Sequence, residues 1–578
     1  MTRKERPTVR FDTAGGRSFA LAGEEEVLIA RRVSEVAALL RRVEAAAAAG
    51  LHAAGFVSYE AAPACDDALR VRAPDARLPL ARFTLFRERV APPPLPAPAD
   101  DPAPEWRAAV REQEYIETVA RIRELIAAGD TYQVNLTFPL VAPFSGDPLA
   151  LYARLLRSQR AGYAAYLDIG GHAVLSISPE LFFQRRDDRL ELRPMKGTRP
   201  RGRWTGEDDA LATELAASEK DRAENLMIVD LLRNDAGRVA VPGSVQVQRL
   251  FEVERYPTVH QMTSTITARL RPETALADLF AALFPCGSVT GAPKVRTMEI
   301  IREMETAPRG IYTGAVGFVS GREAVFNVPI RTLMVDRERG RIEMGVGSGI
   351  TFDSDPHAEF AECLAKAAFV HHRPRDFELL ETMRLEPGGR VFLLERHLER
   401  MAGSARYFGF PFDEARMRRA VKAAAAGANG EAKLRLRLSC TGRIEVDRAP
   451  LPAPVDGPLR VGISRTPVDP ADPALYHKTT DRGLYEAARA AHPGCDDVLL
   501  VNTRGELTES TRANLVLRMG GDLVTPPLES GLLPGTLRAE LLDRKTIVER
   551  VLRPEDLKRA EETFLISALR GWRSFEVA

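Results

Sequence analysis

A basic, proline-containing joint divides this sequence into two parts. The joint, HHRPRDFELLETMR (371–384), leads from a long alternation of strand-like and helix-like segments into a new apolar strand. One hydrophobic core does not grow to the 578 residues of this chain, so two or more domains are expected. We predict an α/β (α+β) fold with domains at residues 1–372 and 376–578. The proline-rich tract APPPLPAPADDPAP (91–104) is predicted to be a linker or surface excursion of the first domain.

Composition argues against several classes of protein. The 81 basic and 80 acidic residues give a formal net charge of +1, which favours neither nucleic acid nor an anionic membrane as partner. No apolar run reaches the ~18 residues of a membrane span, and the charged N-terminus has no signal-sequence core. The five cysteines are scattered without CxxC spacing. They favour a reducing cytoplasm over a disulfide framework or a structural zinc site.

Two predicted helices each carry carboxylates on one face. DRAENLMIVDLLRND has a helical apolar pattern and places Asp221 and Glu224 three residues apart. HAEFAECLAKA places Glu359, Glu362 and Lys366 at positions i, i+3 and i+7. Carboxylate oxygens are the ligands that Mg²⁺ prefers, so the two helices together are a candidate magnesium site. For either helix alone, solvated surface acids are the better interpretation, because such spacing is common.

Glycine-rich turns and a cation in an apolar segment indicate an anionic ligand. FPCGSVTGAPK and GVGSGITFDSD both contain closely spaced glycines, and the backbone N–H groups of such loops can bind an anion. NVPIRTLMV places Arg331 within a predicted apolar strand, where a buried guanidinium requires an anionic partner. Together with the acids, these features predict a small polyanionic substrate that is held through a metal.

The ordered segments resemble those of the chorismate-binding enzymes, the family of anthranilate, aminodeoxychorismate, isochorismate and salicylate synthases. The resemblance covers roughly residues 110–370. It includes SISPELFF, KGTRPRG, AENLMIVDLLRND, TVHQMTS, FPCGSVTGAPK, YTGAVGF, PIRTL and GSGITFDSDPHAEFAECLAKA. It implies a two-lobed α/β fold with a Mg²⁺-dependent site for chorismate.

The resemblance also implies a role for each matching residue. Glu224 and Glu362 correspond to direct metal ligands, and Asp221 and Glu359 to acids that act through water. The expected substrate contacts are His260, Thr290, Tyr312, Arg331, Gly349 and Lys366. Among these, Arg331 and Lys366 are expected to meet substrate carboxylates.

Three positions discriminate between activities within the family. Lys196 resembles the lysine with which aminodeoxychorismate synthases attack C2 of chorismate and expel the 4-hydroxyl; anthranilate synthases usually have alanine there. Glu180 resembles the general acid that protonates the leaving hydroxyl. Gln133 replaces the lysine with which isochorismate and salicylate synthases activate water. Because an amide does not titrate, Gln133 favours ammonia over water as the nucleophile.

The proposed nucleophile must be uncharged to react. We therefore expect the pKa of Lys196 to be lowered by burial or by nearby cations, for which Arg199 and Arg201 are candidates.

The second part of the chain resembles the class IV aminotransferase fold over about residues 376–575. A lysine, an acid, an arginine and a Gly-Thr turn suit the Schiff base, pyridinium and phosphate of pyridoxal phosphate. The resemblance assigns the Schiff base to Lys478 and the pyridine nitrogen to Glu509. Arg400 and the amides of Gly535 and Thr536 are expected to hold the phosphate.

Two further positions in the second part bear on the substrate and the phosphate. Many transaminases of this fold have threonine where this chain has Leu537, which removes one hydroxyl contact to the phosphate. Arg435, on the predicted strand KLRLRLSC, is a candidate for the substrate carboxylate.

Both resemblances together predict bifunctional 4-aminobenzoate synthesis for folate. Chorismate is aminated to 4-amino-4-deoxychorismate, and a pyridoxal-phosphate-dependent step then eliminates pyruvate. The sequence shows no glutaminase signature, so ammonia is expected from a separate glutamine amidotransferase subunit or from solution. The resemblance also suggests a homodimer through the C-terminal domain.

Two alternatives stay open at this point, because fold alone does not separate lyase from transaminase. One is an anthranilate- or isochorismate-type synthase fused to a class IV amino-acid transaminase. The other is that one half is a degenerate regulatory or docking module without catalytic activity.

Overall fold

The computed structural model describes residues 8–13, 18–96, 104–159, 161–371, 376–427, 430–451, 453 and 457–578. Unit 1 comprises Met1–Pro200 and Ala212–Pro374, and unit 2 comprises Arg201–Leu211 and Arg375–Ala578. This division groups residues 201–211 with the C-terminal part, whereas the domain bounds derived from the sequence stay a prediction. Residues 97–103 of the proline-rich tract lie outside the described residues.

Unit 1 contains eighteen strands that antiparallel pairings join into one sheet system. The strands are β1 (Val9–Thr13), β2 (Ser18–Ala30), β3 (His52–Val57), β4 (Ala81–Val90), β5 (Arg107–Ala108), β6 (Gln133–Pro143), β7 (Tyr163–Asp168), β8 (His172–Ser178), β9 (Leu181–Arg186), β10 (Arg189–Arg193), β11 (Met195–Pro200), β12 (Gln246–Arg255), β13 (Val259–Arg269), β14 (Gly291–Ala292), β15 (Ala315–Ser320), β16 (Glu323–Asn327), β17 (Thr332–Asp336) and β18 (Arg341–Ile350). The longest pairing of direct concern to the site joins β6 and β18, which run antiparallel over ten residue pairs from Arg341↔Pro143 to Ile350↔Val134.

In the described part of the chain, eight helices lie wholly or partly in unit 1. They are α1 (Val33–Ala48), α2 (Glu112–Ala127), α3 (Pro148–Gln159), α4 (Thr205–Ala217), α5 (Glu219–Gly237), α6 (Leu276–Leu283), α7 (Lys294–Met304) and α8 (Pro356–Ala367), with short 3-10 turns at Tyr59–Ala64, Gly287–Val289 and Ala368–His371. Helix α4 straddles the boundary between the two units. The predicted helix in DRAENLMIVDLLRND is confirmed as α5, where Ser218 caps the first turn by accepting from the Asp221 N–H.

Two large hydrophobic cores correspond to the two predicted lobes of unit 1. One gathers around the mutually contacting rings of Phe183, Phe280 and Phe326. The other gathers around Tyr115 and Phe360, whose ring centroids are 5.4 Å apart. The mixed α and β architecture confirms the predicted fold class.

Unit 2 contains a three-stranded and an eight-stranded sheet. The smaller sheet consists of β19 (Leu379–Leu385), β20 (Ala432–Leu438) and β21 (Ile444–Ala449), and the larger of β22 (Leu459–Ile463), β23 (Asp497–Val501), β24 (Leu507–Ser510), β25 (Asn514–Met519), β26 (Asp522–Thr525), β27 (Val548–Glu549), β28 (Glu562–Ser567) and β29 (Gly571–Val577). The pairing of β24 with β25 closes a circuit through β23, β22, β29 and β28. Strand β20 confirms the strand predicted at KLRLRLSC.

Besides the first part of α4, the described residues of unit 2 form the helices α9 (Leu394–Phe408), α10 (Glu414–Ala425), α11 (Gly483–Ala490) and α12 (Thr536–Asp543). Short 3-10 turns occur at Pro473–Leu475, Leu528–Ser530 and Pro554–Lys558. Helices α9 and α10 bury Leu398, Met401 and Met417 against the smaller sheet. Across the described part of both units, no helix combines the length and the apolar character needed to cross a bilayer.

Candidate active sites

Lys196 lies on β11 with its amine beside the edge of β18. Asn225 of α5 donates to the backbone oxygen of Lys196 (3.5 Å) and accepts from the Ser264 hydroxyl (2.6 Å), which ties the strand to the helix. The Nζ atom of Lys196 lies 3.1 Å from the position that a Cβ would take at Gly349, and Nε2 of Gln133 lies 2.1 Å from it. Glycine at residue 349 therefore leaves the space that both groups occupy.

Gln133 is almost fully buried at the start of β6. Among the residues that the structure describes, neither its amide nitrogen nor its amide oxygen has a hydrogen-bond partner. An unsatisfied buried polar group costs on the order of 1–3 kcal/mol. The orphaned amide next to the Lys196 amine therefore marks a place where a polar ligand can bond.

The environment of Lys196 favours its neutral form. Burial lowers the pKa of Lys196, and the nearby cation Lys366 lowers it further. The carboxylates of Glu224, Glu180 and Glu362 act in the opposite direction but do not cancel the effect of burial. The expected lowering of the Lys196 pKa is thus present. The four charged residues that act on its amine are themselves predicted site residues, so five predicted site residues lie close together.

The two arginines of the KGTRPRG motif do not account for the lowered pKa of Lys196. Arg199 pairs with Glu214 and Asp221, each at 3.0 Å. Arg201 belongs to unit 2, where it pairs with Asp208 at 2.6 Å. Our expectation that these arginines lower the pKa of Lys196 was wrong, because each guanidinium is taken up by neighbouring carboxylates.

Glu180 lies between β8 and β9 and is buried. Burial raises its pKa to about 7, although a hydrogen bond from Ser288 and the charge of Lys196 act to lower it. One carboxyl oxygen has no hydrogen-bond partner within the described residues. A carboxyl group that is about half protonated at neutral pH suits the role of a general acid.

The four predicted metal-site acids lie near one another without forming a finished ligand cage. Burial raises the pKa of Glu224, and Asp221 and Glu359 raise it further, so these three carboxylates share one environment. Glu362 pairs with Lys366 at 2.7 Å. Within the described ranges, no group of three or more Asp, Glu, His or Cys side chains is assembled to hold a metal ion.

Arg331 is a half-buried cation with no carboxylate partner among the described residues. It precedes β17 with a positive φ of 48°, so it lies just outside the strand in which the sequence placed it. Its guanidinium donates to Oε1 of Gln159 at 3.4 Å, and burial lowers its pKa. A desolvated guanidinium without a carboxylate partner supports an anionic ligand at this position.

The other predicted substrate contacts lie on neighbouring elements. The ring of Tyr312 occupies the space beside Gly345, where a Cβ would approach it to 2.2 Å. Thr290 is buried and donates to the backbone oxygen of Cys286 at 3.1 Å. His260 is buried on β13. Their roles as chorismate contacts stay predictions.

In unit 2, a cavity of about 480 Å³ is lined by all five predicted cofactor residues. These are Arg400, Lys478, Glu509, Gly535 and Thr536. The cavity lies within the size range of small-molecule sites, roughly 300–1,000 Å³.

Lys478 follows β22 in the chain and is held against β19, because its backbone oxygen accepts from the Leu380 N–H at 2.9 Å. Burial and the charge of Arg400 lower its pKa to about 8, although Glu381 acts in the opposite direction. A lowered pKa increases the neutral fraction of the amine, which suits a lysine that condenses with an aldehyde.

Glu509 lies on β24 at the wall of the same cavity. Burial raises its pKa to about 7. Tyr485 donates to Oε1 of Glu509 at 3.1 Å, and Asn514 donates to Oε2 at 3.3 Å. This fixed carboxyl group fits the partner of a pyridinium nitrogen, since a bound cation would favour its charged form.

The residues predicted to hold the phosphate are Arg400 and those at the start of α12, and all of them line the cavity. Arg400 donates to Glu381 (2.6 and 2.8 Å) and to the backbone oxygen of Pro534 (3.0 Å). Gly535 precedes the first turn of α12, and a Cβ there would lie 1.9 Å from Oδ1 of Asn514. Leu537 is buried in a small hydrophobic cluster, so its side chain replaces the hydroxyl that many relatives of this fold have.

The sequence analysis did not identify Glu381 and His397, a buried pair next to these residues. Burial by itself would raise the pKa of Glu381, but the charges of Arg400 and His397 outweigh it and hold the pKa at about 2. Nδ1 of His397 lies 2.6 Å from Glu381, and its Nε2 lies 3.4 Å from the Thr536 hydroxyl. The available signal was the spacing of His397 and Arg400 at i and i+3 on α9.

Comparison with known sequences agrees with both parts of the architecture. Residues 5–372 match the sequence model of the chorismate binding enzyme family, and residues 378–576 match that of amino-transferase class IV. An aminodeoxychorismate synthase from Streptomyces griseus is 49% identical over 256 residues, which are 44% of this chain and 35% of that protein. Aminodeoxychorismate synthase component 1 from Klebsiella aerogenes is 45% identical over 269 residues.

The matched regions are partial on both sides. The Klebsiella aerogenes match covers 46% of this chain and 59% of that protein, so the chain spans between 35% and 59% of these two curated relatives. Among solved structures, anthranilate synthase component I from Streptococcus pneumoniae TIGR4 is similar with a TM-score of 0.52 and 26% identity. That similarity covers 64% of this chain and 91% of that one.

The packing of Gln133 and Lys196 against residue 349 yields a testable prediction. Gly349→Ala places a methyl group where Nε2 of Gln133 now lies, so both groups must move and turnover in unit 1 should fall about 100-fold. The matched control is Gly237→Ala, because a Cβ at Gly237 meets nothing within 4 Å. Steady-state rates with chorismate and ammonium, together with thermal unfolding of both variants, measure the effect. Full activity of Gly349→Ala would contradict this geometry.

Proposed function

Because this chain belongs to the chorismate-binding enzyme family, we propose that unit 1 aminates chorismate to 4-amino-4-deoxychorismate and that unit 2 eliminates pyruvate from that product to give 4-aminobenzoate. The observation that carries this proposal is the position of Lys196. Its amine lies beside Gly349 and Gln133, and burial lowers its pKa. These are the conditions that a lysine nucleophile requires.

The first reaction follows from the roles of three side chains. The neutral amine of Lys196 adds to C2 of chorismate, the two ring double bonds shift, and the 4-hydroxyl leaves as water with the proton of Glu180. Ammonia then adds at C4, the double bonds shift back, and Lys196 leaves. Gln133 cannot take a proton from water, and its unsatisfied amide is available to bond the incoming ammonia or the substrate.

The acids around Lys196 fit a hard cation in their chemistry. Glu224 and Glu362 would ligate Mg²⁺, with Asp221 and Glu359 acting through water. Bound Mg²⁺ would neutralise a carboxylate of the substrate. Glu362 is paired with Lys366 at 2.7 Å, so the lysine must move before Glu362 offers both oxygens to the metal.

Unit 2 fits pyridoxal phosphate, which when bound supplies an electron sink for charge that develops on the carbon next to the substrate nitrogen. Lys478 would hold the aldehyde carbon of the cofactor until the 4-amino group of the substrate displaces it, and the freed amine would then take the C4 proton of the substrate. The same amine can return a proton to the departing enolpyruvate. Glu509 would pair with the ring nitrogen, and Arg400 with the amides of Gly535 and Thr536 would hold the phosphate.

Partners and location follow from the same proposal. Ammonia would come from a separate glutamine amidotransferase subunit, since a relative of this chain is named as component 1 of its synthase. Five free cysteines are consistent with the reducing cytoplasm that we propose as its location. We also propose a homodimer through the C-terminal domain, with folate synthesis as the use of the product.

Paired lysine variants test the whole proposal. The full chain with chorismate, ammonium, Mg²⁺ and pyridoxal phosphate should form 4-aminobenzoate. Lys196→Ala should abolish the first step and still convert supplied 4-amino-4-deoxychorismate, whereas Lys478→Ala should accumulate that intermediate. Lys422→Ala, on the exposed face of α10, is the control and should behave as wild type.

The products are identified by mass after chromatographic separation. The separation is needed because 2-aminobenzoate has the same mass as 4-aminobenzoate. Formation of 2-aminobenzoate or isochorismate by the wild type, or normal amination by Lys196→Ala, would overturn the proposal.

The pH dependence of amination tests the role of Glu180. Its pKa is raised to about 7, so the rate should fall as the pH rises through 7 and the donated proton is lost. The neutral fraction of Lys196 grows with pH, since its pKa is lowered, and this opposes the fall. Glu180→Gln should slow amination roughly 10²–10⁴-fold and remove the fall at alkaline pH.

Initial rates on both sides of pH 7 measure this profile. Glu219→Gln, which alters an exposed acid on α5, should retain the wild-type profile. An unchanged alkaline fall in Glu180→Gln would argue against Glu180 as the acid.

Metal titration tests the role of Glu362. Glu362→Gln should raise the Mg²⁺ concentration needed for half-maximal amination by roughly tenfold or more, because a ligand oxygen loses its charge. Asp230→Asn removes an exposed acid from α5 and should leave the titration unchanged. Identical Mg²⁺ curves for Glu362→Gln and wild type would count against the ligand assignment.

A further inference from the structure

The cavity of unit 2 has more cations than its cofactor requires. Besides Arg400 and Lys478, its wall carries Lys433, Arg435, Arg482, Arg512, Arg570 and Arg573, whereas its acids are Asp497 and Glu509. Pyridoxal phosphate with Lys478 and Arg400 accounts for two of these eight cations. The remaining excess of positive charge indicates that the substrate itself is an anion of more than one charge.

Two of these cations lie on turns at the same end of the larger sheet. Arg512 lies in the turn between β24 and β25, and Arg570 lies in the turn between β28 and β29. Asn514, at the start of β25, pairs with Ile566, near the end of β28. This register places the two turns at one end of the sheet.

Hydrogen bonds fix both turns. The backbone N–H of Arg512 donates to the Ser510 hydroxyl at 3.3 Å, and that of Arg570 donates to the Ser567 hydroxyl at 3.2 Å. The Thr511 hydroxyl donates to Asp497 at 2.5 Å, which anchors the first turn to β23. The two guanidinium groups are therefore carried on turns with a defined backbone.

Neither guanidinium is neutralised by the protein. Over the described residues, the side chains of Arg512 and Arg570 have neither a hydrogen bond nor an ion pair. Burial lowers the pKa of Arg512, and the cations Arg489, Arg570 and Arg482 lower it further, while Asp497 opposes them. Like charges held together on a cavity wall are stabilised by a bound anion.

The anionic groups that the proposed substrate offers to these cations are carboxylates. 4-Amino-4-deoxychorismate carries two carboxylates, one on the ring and one on the enolpyruvyl ether. Arg435, on β20 of the smaller sheet, is a candidate for one of them and also has no partner among the described residues. Amino acids with a single carboxylate would leave the second group of cations unused.

We propose that Arg512 and Arg570 form a second carboxylate site, which makes the cavity of unit 2 selective for dicarboxylate substrates. The identity of the substrate rests on the proposed function, whereas the selectivity for a dianion does not. Planar guanidinium groups can each bind a carboxylate through two parallel hydrogen bonds, which is why both residues are assigned to recognition.

The test measures binding to the full-length holoenzyme by calorimetry. The probe is 3-(carboxymethoxy)benzoate, which carries a ring and an ether-linked carboxylate, and the matched monoanion is 3-methoxybenzoate. Wild type should bind the dianion more tightly than the monoanion. In R512Q/R570Q, this preference should fall roughly tenfold, the scale of one charge-assisted contact of about 1.4 kcal/mol. Arg559→Gln, which alters an exposed cation outside the cavity lining, should keep it.

Several outcomes would overturn the inference. They are equal binding of both probes by wild type, an unchanged preference in the double variant, or a loss of pyridoxal phosphate affinity in place of the preference. The last result would assign the two arginines to the phosphate.

Rates distinguish this inference from the proposed function. L-Glutamate, a dicarboxylic amino acid, is compared with 4-amino-4-deoxychorismate as substrate of unit 2. In the double variant, KM for the preferred dicarboxylate should rise while kcat changes little, since Lys478 is untouched. If wild type releases no pyruvate from 4-amino-4-deoxychorismate but retains the dianion preference, the proposed function fails and the carboxylate site stands.

Discussion

The antiparallel pairing of β6 with β18 is the constraint on which the site of unit 1 depends. Glycines alternate along β18 at positions 345, 347 and 349, so they share one face of the strand. In place of three Cβ atoms, this face accommodates the ring of Tyr312, the methyl group of Thr137, and the ends of Gln133 and Lys196. The glycines of GVGSGIT therefore leave a groove for side chains from other elements, and the desolvated amine of Lys196 lies at one end of it.

The sequence predicted those parts of the structure that have a periodic pattern of apolar residues or a recognisable sequence motif. Helix α5 and strand β20 follow from periodicity, and the burial of Lys196 and Lys478 follows from the chemistry that their motifs implied. Both lysines have a lowered pKa with burial as the main cause, although each faces a carboxylate that opposes it. A motif identifies the residue that must be desolvated, and the fold then supplies the desolvation.

The parts that escaped prediction depend on contacts between distant segments. Arg331 lies outside β17 because its φ is positive, and no pattern in NVPIRTLMV specifies that turn. Arg199 is occupied by carboxylates, one of them on α5, which only the packing of β11 brings close. Ser288 was predicted only as part of a glycine-rich loop that can bind an anion, yet its side chain bonds the carboxyl group of Glu180. Glu381 lies on β19, and no sequence pattern predicts its hydrogen bonds to side chains of α9.

The ion pair between Glu362 and Lys366 has a consequence for the order of events in unit 1. The two side chains are one helical turn apart, and Lys366 also donates to the backbone oxygen of Gly347 at 2.8 Å. Under the proposed roles, each partner must give up the other before it meets its own ligand. A substrate that binds Lys366 frees Glu362, and a metal ion that binds Glu362 frees Lys366. By reciprocity of binding free energies, the divalent cation and the substrate would then assist each other's binding, and stray cations alone would be held weakly.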